Sequence, residues 1–171
     1  MNHFFQDKTN LLVSISINSL FAFLSSILLF KGIVAFAKYV TIIHFSGIPK
    51  RVNYEIACVS HPFSSIWTYN SVISIYSIGI VTAAFFIFVS YMLQSWCKKN
   101  GVRKLFFIWM FIHSLHHSFG MLVKGIILKQ DVYFALAWMH IPFGLMVVLG
   151  VFFLFIYSYI LYQSFYMFIK V

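Results

Sequence analysis

The chain has 171 residues, 62% of them hydrophobic and only 9% charged, with a mean hydropathy of +0.93. A soluble domain needs far more polar surface than this, so the composition excludes one. The formal charge of +9 arises because only three acids, Asp7, Glu55 and Asp131, oppose the bases. Those bases lie between apolar runs, which points to membrane lipids as the partner and gives no support to nucleic acid.

Long apolar runs recur along the whole sequence. They predict an all-α, polytopic integral membrane protein, a single transmembrane domain over residues 1–171. Four transmembrane helices would form a bundle, with a short interfacial helix after the first.

Residues 1–10 read as a short polar lead, with Asn10 as the cap of the first helix. The first span is predicted at about 11–30. Lys8 precedes it, but no Ala-x-Ala-like cleavage site follows, and the run is long enough to stay in the membrane. Asn18 is the one strongly polar side chain well inside this run. Its expected role is a helix–helix hydrogen bond, with a substrate or ion contact as the alternative.

A bend near Gly32 is expected next, followed by an interfacial segment at about 33–46. Lys31 and Lys38 are seven apart and share one helix face; in the competing reading the first helix runs on to His44 with both lysines snorkelling to the headgroups. Gly47, Pro49, Lys50 and Arg51 break the helix. Residues 50–65 form the most polar connection and contain Glu55, Cys58, His61 and Pro62.

The second span is predicted at about 67–96. Trp67 and Trp96 are ~43 Å apart on a helix, matching the ~40–45 Å between the outer edges of the interfacial zones. Ser71, Ser74 and Ser77 recur every three residues, and Gly79 and Ala83 form a small-xxx-small pair suited to close helix packing. Lys98–Lys104 reads KKNGVRK. It is the clearest connection, and it makes spans two and three an antiparallel hairpin.

The third span is predicted at about 105–123. The fourth is predicted at about 132–157, with Asp131 as its cap and a kink at Pro142. Bases divide six against six between the two sides, so the positive-inside count does not decide orientation. The density of KKNGVRK favours both termini on the cytoplasmic side, in a bacterial inner or other plasma-type membrane. Cys58 and Cys97 would then lie on opposite sides, which disfavours a disulfide.

Histidine carries the functional signal. The third span holds His113, His116 and His117. His113 and His117 share a helix face, while His116 points partly away. On these boundaries His117 and His140 reach similar depths, so His113, His117 and His140 are expected to converge near the midplane. Such a set would admit haem or a transition metal. The run HSLHH only superficially resembles the metalloprotease pattern HExxH, because Ser114 stands where the glutamate would be.

The bland alternative is that these imidazoles bond to neighbouring helices and fix their packing. His3, His44 and His61 are expected to serve the mobile terminus, the headgroup zone and a turn. No phosphate-binding loop, dinucleotide fingerprint, cysteine cluster or GxSxG is present.

Three functions follow from the sequence. The first is a small membrane protein or complex subunit with a histidine-organised polar centre, including Asn18 and His116 as polar intramembrane groups. The second is a haem- or metal-binding redox protein. The third is a transporter or proton-linked component. A chain of this size would also suit a homo-oligomer or a larger complex.

Overall fold

The computed structural model describes residues 2–52, 55–60, 64–97 and 101–169. In chain order it holds α1 (Asn2–His44), β1 (Ile48–Val52), β2 (Glu55–Val59), α2 (Tyr69–Trp96), α3 (Val102–Leu128), α4 (Val132–Trp138) and α5 (Phe143–Ile169). Four segments are long and apolar enough to cross a membrane: Val13–His44, Tyr69–Trp96, Val102–Leu128 and Phe143–Met167. The protein is therefore a mostly α-helical integral membrane protein.

α1 differs from expectation. It is one helix of 43 residues, uninterrupted at Gly32 and with no separate interfacial helix at 33–46. Asn10 lies inside the helix rather than at its start. A lone glycine costs about 1 kcal/mol in a helix, but an open backbone group in lipid costs several, so the helix runs on. It stops only where Ser46 takes a left-handed conformation, with φ 60°. There Gly47 N donates to Ile42 O at 2.8 Å and Ser46 N donates to Ile43 O at 2.8 Å. That paired arrangement closes a helix end.

The polar connection is also more ordered than its composition suggests. β1 and β2 form an antiparallel hairpin with Val52 opposite Glu55 and Ile48 opposite Val59. Pro49 is tolerated because a two-stranded sheet consists only of edges. Gly47 sits beneath the hairpin. A Cβ there would lie 2.6 Å from Ile66 Cδ1 and 2.9 Å from both Cys58 Sγ and Ile42 Cγ2. His61 and Pro62 lie outside the described residues, as do Lys98, Lys99 and Asn100.

α2 matches the predicted span. Thr68 caps it: Ser71 N donates to Thr68 Oγ1 at 3.3 Å, and Thr68 N donates to Ser71 Oγ at 2.9 Å. The pair satisfies two otherwise orphaned donors. α2 and α3 share the most extensive interface of the molecule, and α1 packs on both. Gly79 and Ala83 are buried in this packing, Ala83 beside Phe30, Val34 and Met110.

α5 packs on α3, and Gln94 Nε2 of α2 reaches Met167 Sδ at 3.3 Å. The result is a three-helix core with the fourth span laid along α3.

The predicted fourth span is broken rather than kinked. α4 ends at Trp138 and α5 begins at Phe143. Pro142 disfavours helical backbone at Ile141, so the chain must turn before it. His140 takes the left-handed position of that turn, with φ 58°. Ile141 N donates to Leu136 O at 3.1 Å and His140 N donates to Ala137 O at 3.0 Å. The span across the membrane is therefore Phe143–Met167, and α4 is a short element packed on α2 and α3.

Candidate functional site

One end of the molecule gathers the C-terminus of α1, the hairpin, the N-terminus of α2, the C-terminus of α3, and α4. Lys38, in the last two turns of α1, is buried there at 8% exposure. An ammonium withdrawn from water needs opposite charge nearby. Two carboxylates supply it. Asp131 Oδ2 lies 3.2 Å from Lys38 Nζ, and Glu55 Oε2 lies 3.8 Å away. Both acids beyond the N-terminal lead thus converge on one lysine.

Each partner is brought by a different local device. Glu55 opens β2, and the hairpin register swings it over α1. Asp131 follows the end of α3, where Lys129 is left-handed with φ 53° and Gln130 N donates to Gly125 O at 2.9 Å. That turn directs Asp131 back toward α1. Asp131 is not the side-chain cap expected of it, because it makes no capping hydrogen bond to α4.

The cluster lines a cavity of about 430 Å³, with Tyr76, Lys124, Gln130 and Cys58 among the polar walls. A second hollow of about 350 Å³ shares Lys38, Glu55 and Ile56 with it. It extends along α1 past Val34 and Ala35 to Lys31, with His117 on its α3 side. A water occupies about 30 Å³ of liquid, so these spaces exceed what a single bridging water requires. Both fall in the range of roughly 300–1,000 Å³ typical of small-molecule sites.

Gly79 of α2 packs against the residues that line the two hollows. A Cβ there would lie 3.3 Å from Lys38 Cε, 3.7 Å from His117 Nε2 and 3.7 Å from Val34 Cγ1. The absent side chain lets the lysine stem approach α2 closely, while the imidazole lies at ordinary contact distance.

The predicted histidine set separates. His113 and His117 do share the face of α3 that meets α1. His113 lies between Phe23 and Trp109, with ring centroids 4.9 and 6.0 Å away, and His117 meets Phe30 edge-on at 5.4 Å. The Nε2 atoms of both are buried without a hydrogen-bond partner. His140 is elsewhere, exposed in the turn between α4 and α5.

Among the described residues no group of three or more His, Cys, Asp or Glu could hold a metal ion. The expected convergence of His113, His117 and His140 as a metal set thus lacks support. Moving the fourth span to Phe143 removed His140 from the membrane interior.

His116 turns outward as expected, and its Nδ1 lies 3.0 Å from Tyr157 Oη of α5. Asn18 is half-buried on α1. Its neighbour Ser19 makes the inter-helix contact instead, accepting from Trp109 Nε1 at 3.2 Å. Ser114, a candidate partner for the histidines, donates to its own helix at Met110 O, 2.7 Å.

No protein-family model matches the chain, and neither a curated protein nor a solved structure is similar to it.

Proposed function

We propose that this membrane protein is a small ligand-binding unit, alone or as a subunit of a larger complex. Its working part is the lysine–carboxylate chamber at the hairpin end. The observation that carries the reading is the convergence of Asp131 and Glu55 on buried Lys38 beside about 430 Å³ of space.

A purely structural ion pair gains most when it is closely packed, and replacing such pairs by apolar side chains is often neutral or stabilising. Charges of both signs around an open chamber instead offer donors and acceptors to a guest. The polar centre thus rests on Lys38, with His117 as its inner edge, and the N-terminus and C-terminus lie together on the cytoplasmic side.

Thiol chemistry tests this reading. Cys58 lines the chamber, and Cys97 lies at the other end of α2. In a Cys97→Ser background, a small charged methanethiosulfonate should modify Cys58 in sealed membranes from the side opposite the termini. Cys58 inert from both sides would sink the reading.

A second reading, a proton-linked transport component, draws on two half-buried imidazoles, His113 and His117, each with a buried Nε2 that has no hydrogen-bond partner. Imidazole is the side chain suited to relaying protons near neutral pH. Proton uptake into vesicles, abolished in His113→Gln and His117→Gln, is its expected signature. Vesicles that hold a pH gradient as well as protein-free ones would exclude it.

A further inference from the structure

We propose that the chamber binds a phosphoglycerol group, presented by an anionic phospholipid entering from the bilayer. The inference rests on the binding reading above and names its ligand.

Charge decides the first half. Three ammonium groups line the two joined hollows, Lys31, Lys38 and Lys124, against two carboxylates, Glu55 and Asp131. Asp131 and Glu55 are both engaged by Lys38. Lys31 and Lys124 have no acidic partner among the described residues. One positive charge is therefore in surplus; Lys124 lines the first hollow and Lys31 the second. A phosphodiester carries one negative charge and accepts hydrogen bonds from ammonium groups. It balances the surplus, and a zwitterionic headgroup does not.

The acids decide the second half. A carboxylate is acceptor-only, with about four lone-pair sites. Lys38 fills only part of that capacity, and the Glu55 side chain is 54% exposed. A bare anion beside two carboxylates would be repelled. A headgroup with hydroxyls donates to them while its phosphate faces the lysines. Phosphoglycerol combines both features.

Position decides the source. The two carboxylates lie just beyond the ends of the spans, Glu55 in the hairpin after α1 and Asp131 after α3, and Lys38 reaches them from six residues inside α1. The second hollow runs from Lys38 to Lys31, ~10 Å along α1 at 1.5 Å per residue. Lys31 is exposed on a helix whose neighbouring outer face, including Leu28, Leu29 and Phe36, is apolar. A lipid can thus bring its headgroup in sideways and leave its chains along α1.

The test uses the full chain reconstituted in phosphatidylcholine vesicles. These carry equal minor fractions of phosphatidylglycerol, phosphatidylethanol and phosphatidylethanolamine. Lipid retained by the protein is read by native mass spectrometry, and the rate of Cys58 modification is read in parallel. Phosphatidylglycerol should be retained about tenfold over both zwitterionic lipids, a factor worth 1.4 kcal/mol. It should also exceed phosphatidylethanol, which has the charge without the hydroxyls, and should slow Cys58 modification.

The exposed pair is then altered without touching Lys38. K31Q/K124Q should bring retention to parity, and K31R/K124R should keep it. Parity in the wild type overturns the proposal. So does equal retention of both anionic lipids that K31Q/K124Q leaves unchanged, since that is adsorption to a basic surface. Protection of Cys58 by soluble glycerophosphoglycerol in pure phosphatidylcholine supports the site chemistry and assigns it a soluble source. Cys58 inert under every condition defeats the binding reading itself, whereas a reactive Cys58 protected by none of these defeats only the headgroup assignment.

Discussion

Lys38 Nζ lies 3.2 Å from Asp131 Oδ2, a contact that joins residues 93 apart in the chain. It ties the end of the first span to the turn after the third. The two members are unequally buried, with side-chain exposures of 10% and 28%. The cost of breaking the pair should therefore lie between that of a surface and a fully buried bridge. Lys38→Met should destabilise by about 1–3 kcal/mol. Glu55→Gln, at a longer and half-exposed contact, should cost under about 1 kcal/mol. The double variant K38M/D131L should recover much of the single loss, because it removes both charges together. Reversible unfolding in mixed micelles gives the cycle, and additive losses would show that the two groups are not coupled.

Gly79 sets how closely the Lys38 stem packs on α2, next to the chamber. Its missing Cβ leaves room for Lys38 Cε, His117 Nε2 and Val34 Cγ1. Gly79→Ala asks the lysine stem to give by a few tenths of an ångström, and should change stability by less than about 1 kcal/mol. Gly79→Leu must push α1 from α2 and should cost about 1–3 kcal/mol. It should also change the rate of Cys58 modification as the chamber deforms. Equal stability of the two variants would show that the contact is looser than described.

His113 and His117 offer a direct choice between packing and function. Each has a buried Nε2 without a partner, in surroundings of Phe23, Trp109 and Phe30. A buried polar atom with no hydrogen bond costs about 1–3 kcal/mol. Leucine at His117 should therefore leave stability unchanged or raise it by up to about 1 kcal/mol, and at His113 the lost hydrogen bond to the Phe23 backbone offsets that gain, so stability should change little. Substantial destabilisation by His113→Leu and His117→Leu, measured as thermal unfolding in detergent, would show that the imidazoles are structural after all.

The span count and the path of α2 were legible in the sequence because long apolar runs and bracketing tryptophans report on the bilayer itself. The small pair Gly79 and Ala83 was legible for the same reason, since close packing in lipid needs small residues. The chamber was not legible. Lys38 looked like a snorkelling lysine, Glu55 a loop acid and Asp131 a helix cap, and each assignment used only neighbouring residues. Their meeting depends on two turns, the hairpin over α1 and the left-handed end of α3. Neither IPKRV nor EIACV alternates apolar and polar residues, so the sequence carried no strand signal and a polar stretch between spans read as a connection. The histidine set failed through one boundary, because Pro142 was given a kink where it enforces a break.

That break makes His140 the most decisive single position. It holds φ 58° at the end of α4, and left-handed backbone costs an ordinary L-residue roughly 1–2 kcal/mol. Histidine tolerates it better than most residues, yet glycine is the usual occupant of this cap. His140→Gly should therefore raise stability by about 0.5–1 kcal/mol, and His140→Val should lower it by about 1–2 kcal/mol, because branching at Cβ worsens the same clash. The side chain is exposed, so neither change disturbs a packed core. If His140 instead reached into the bundle as a ligand, His140→Gly would cost stability and His140→Val would be the milder change. Unfolding of the two variants side by side separates the outcomes by sign, independently of any cofactor assay.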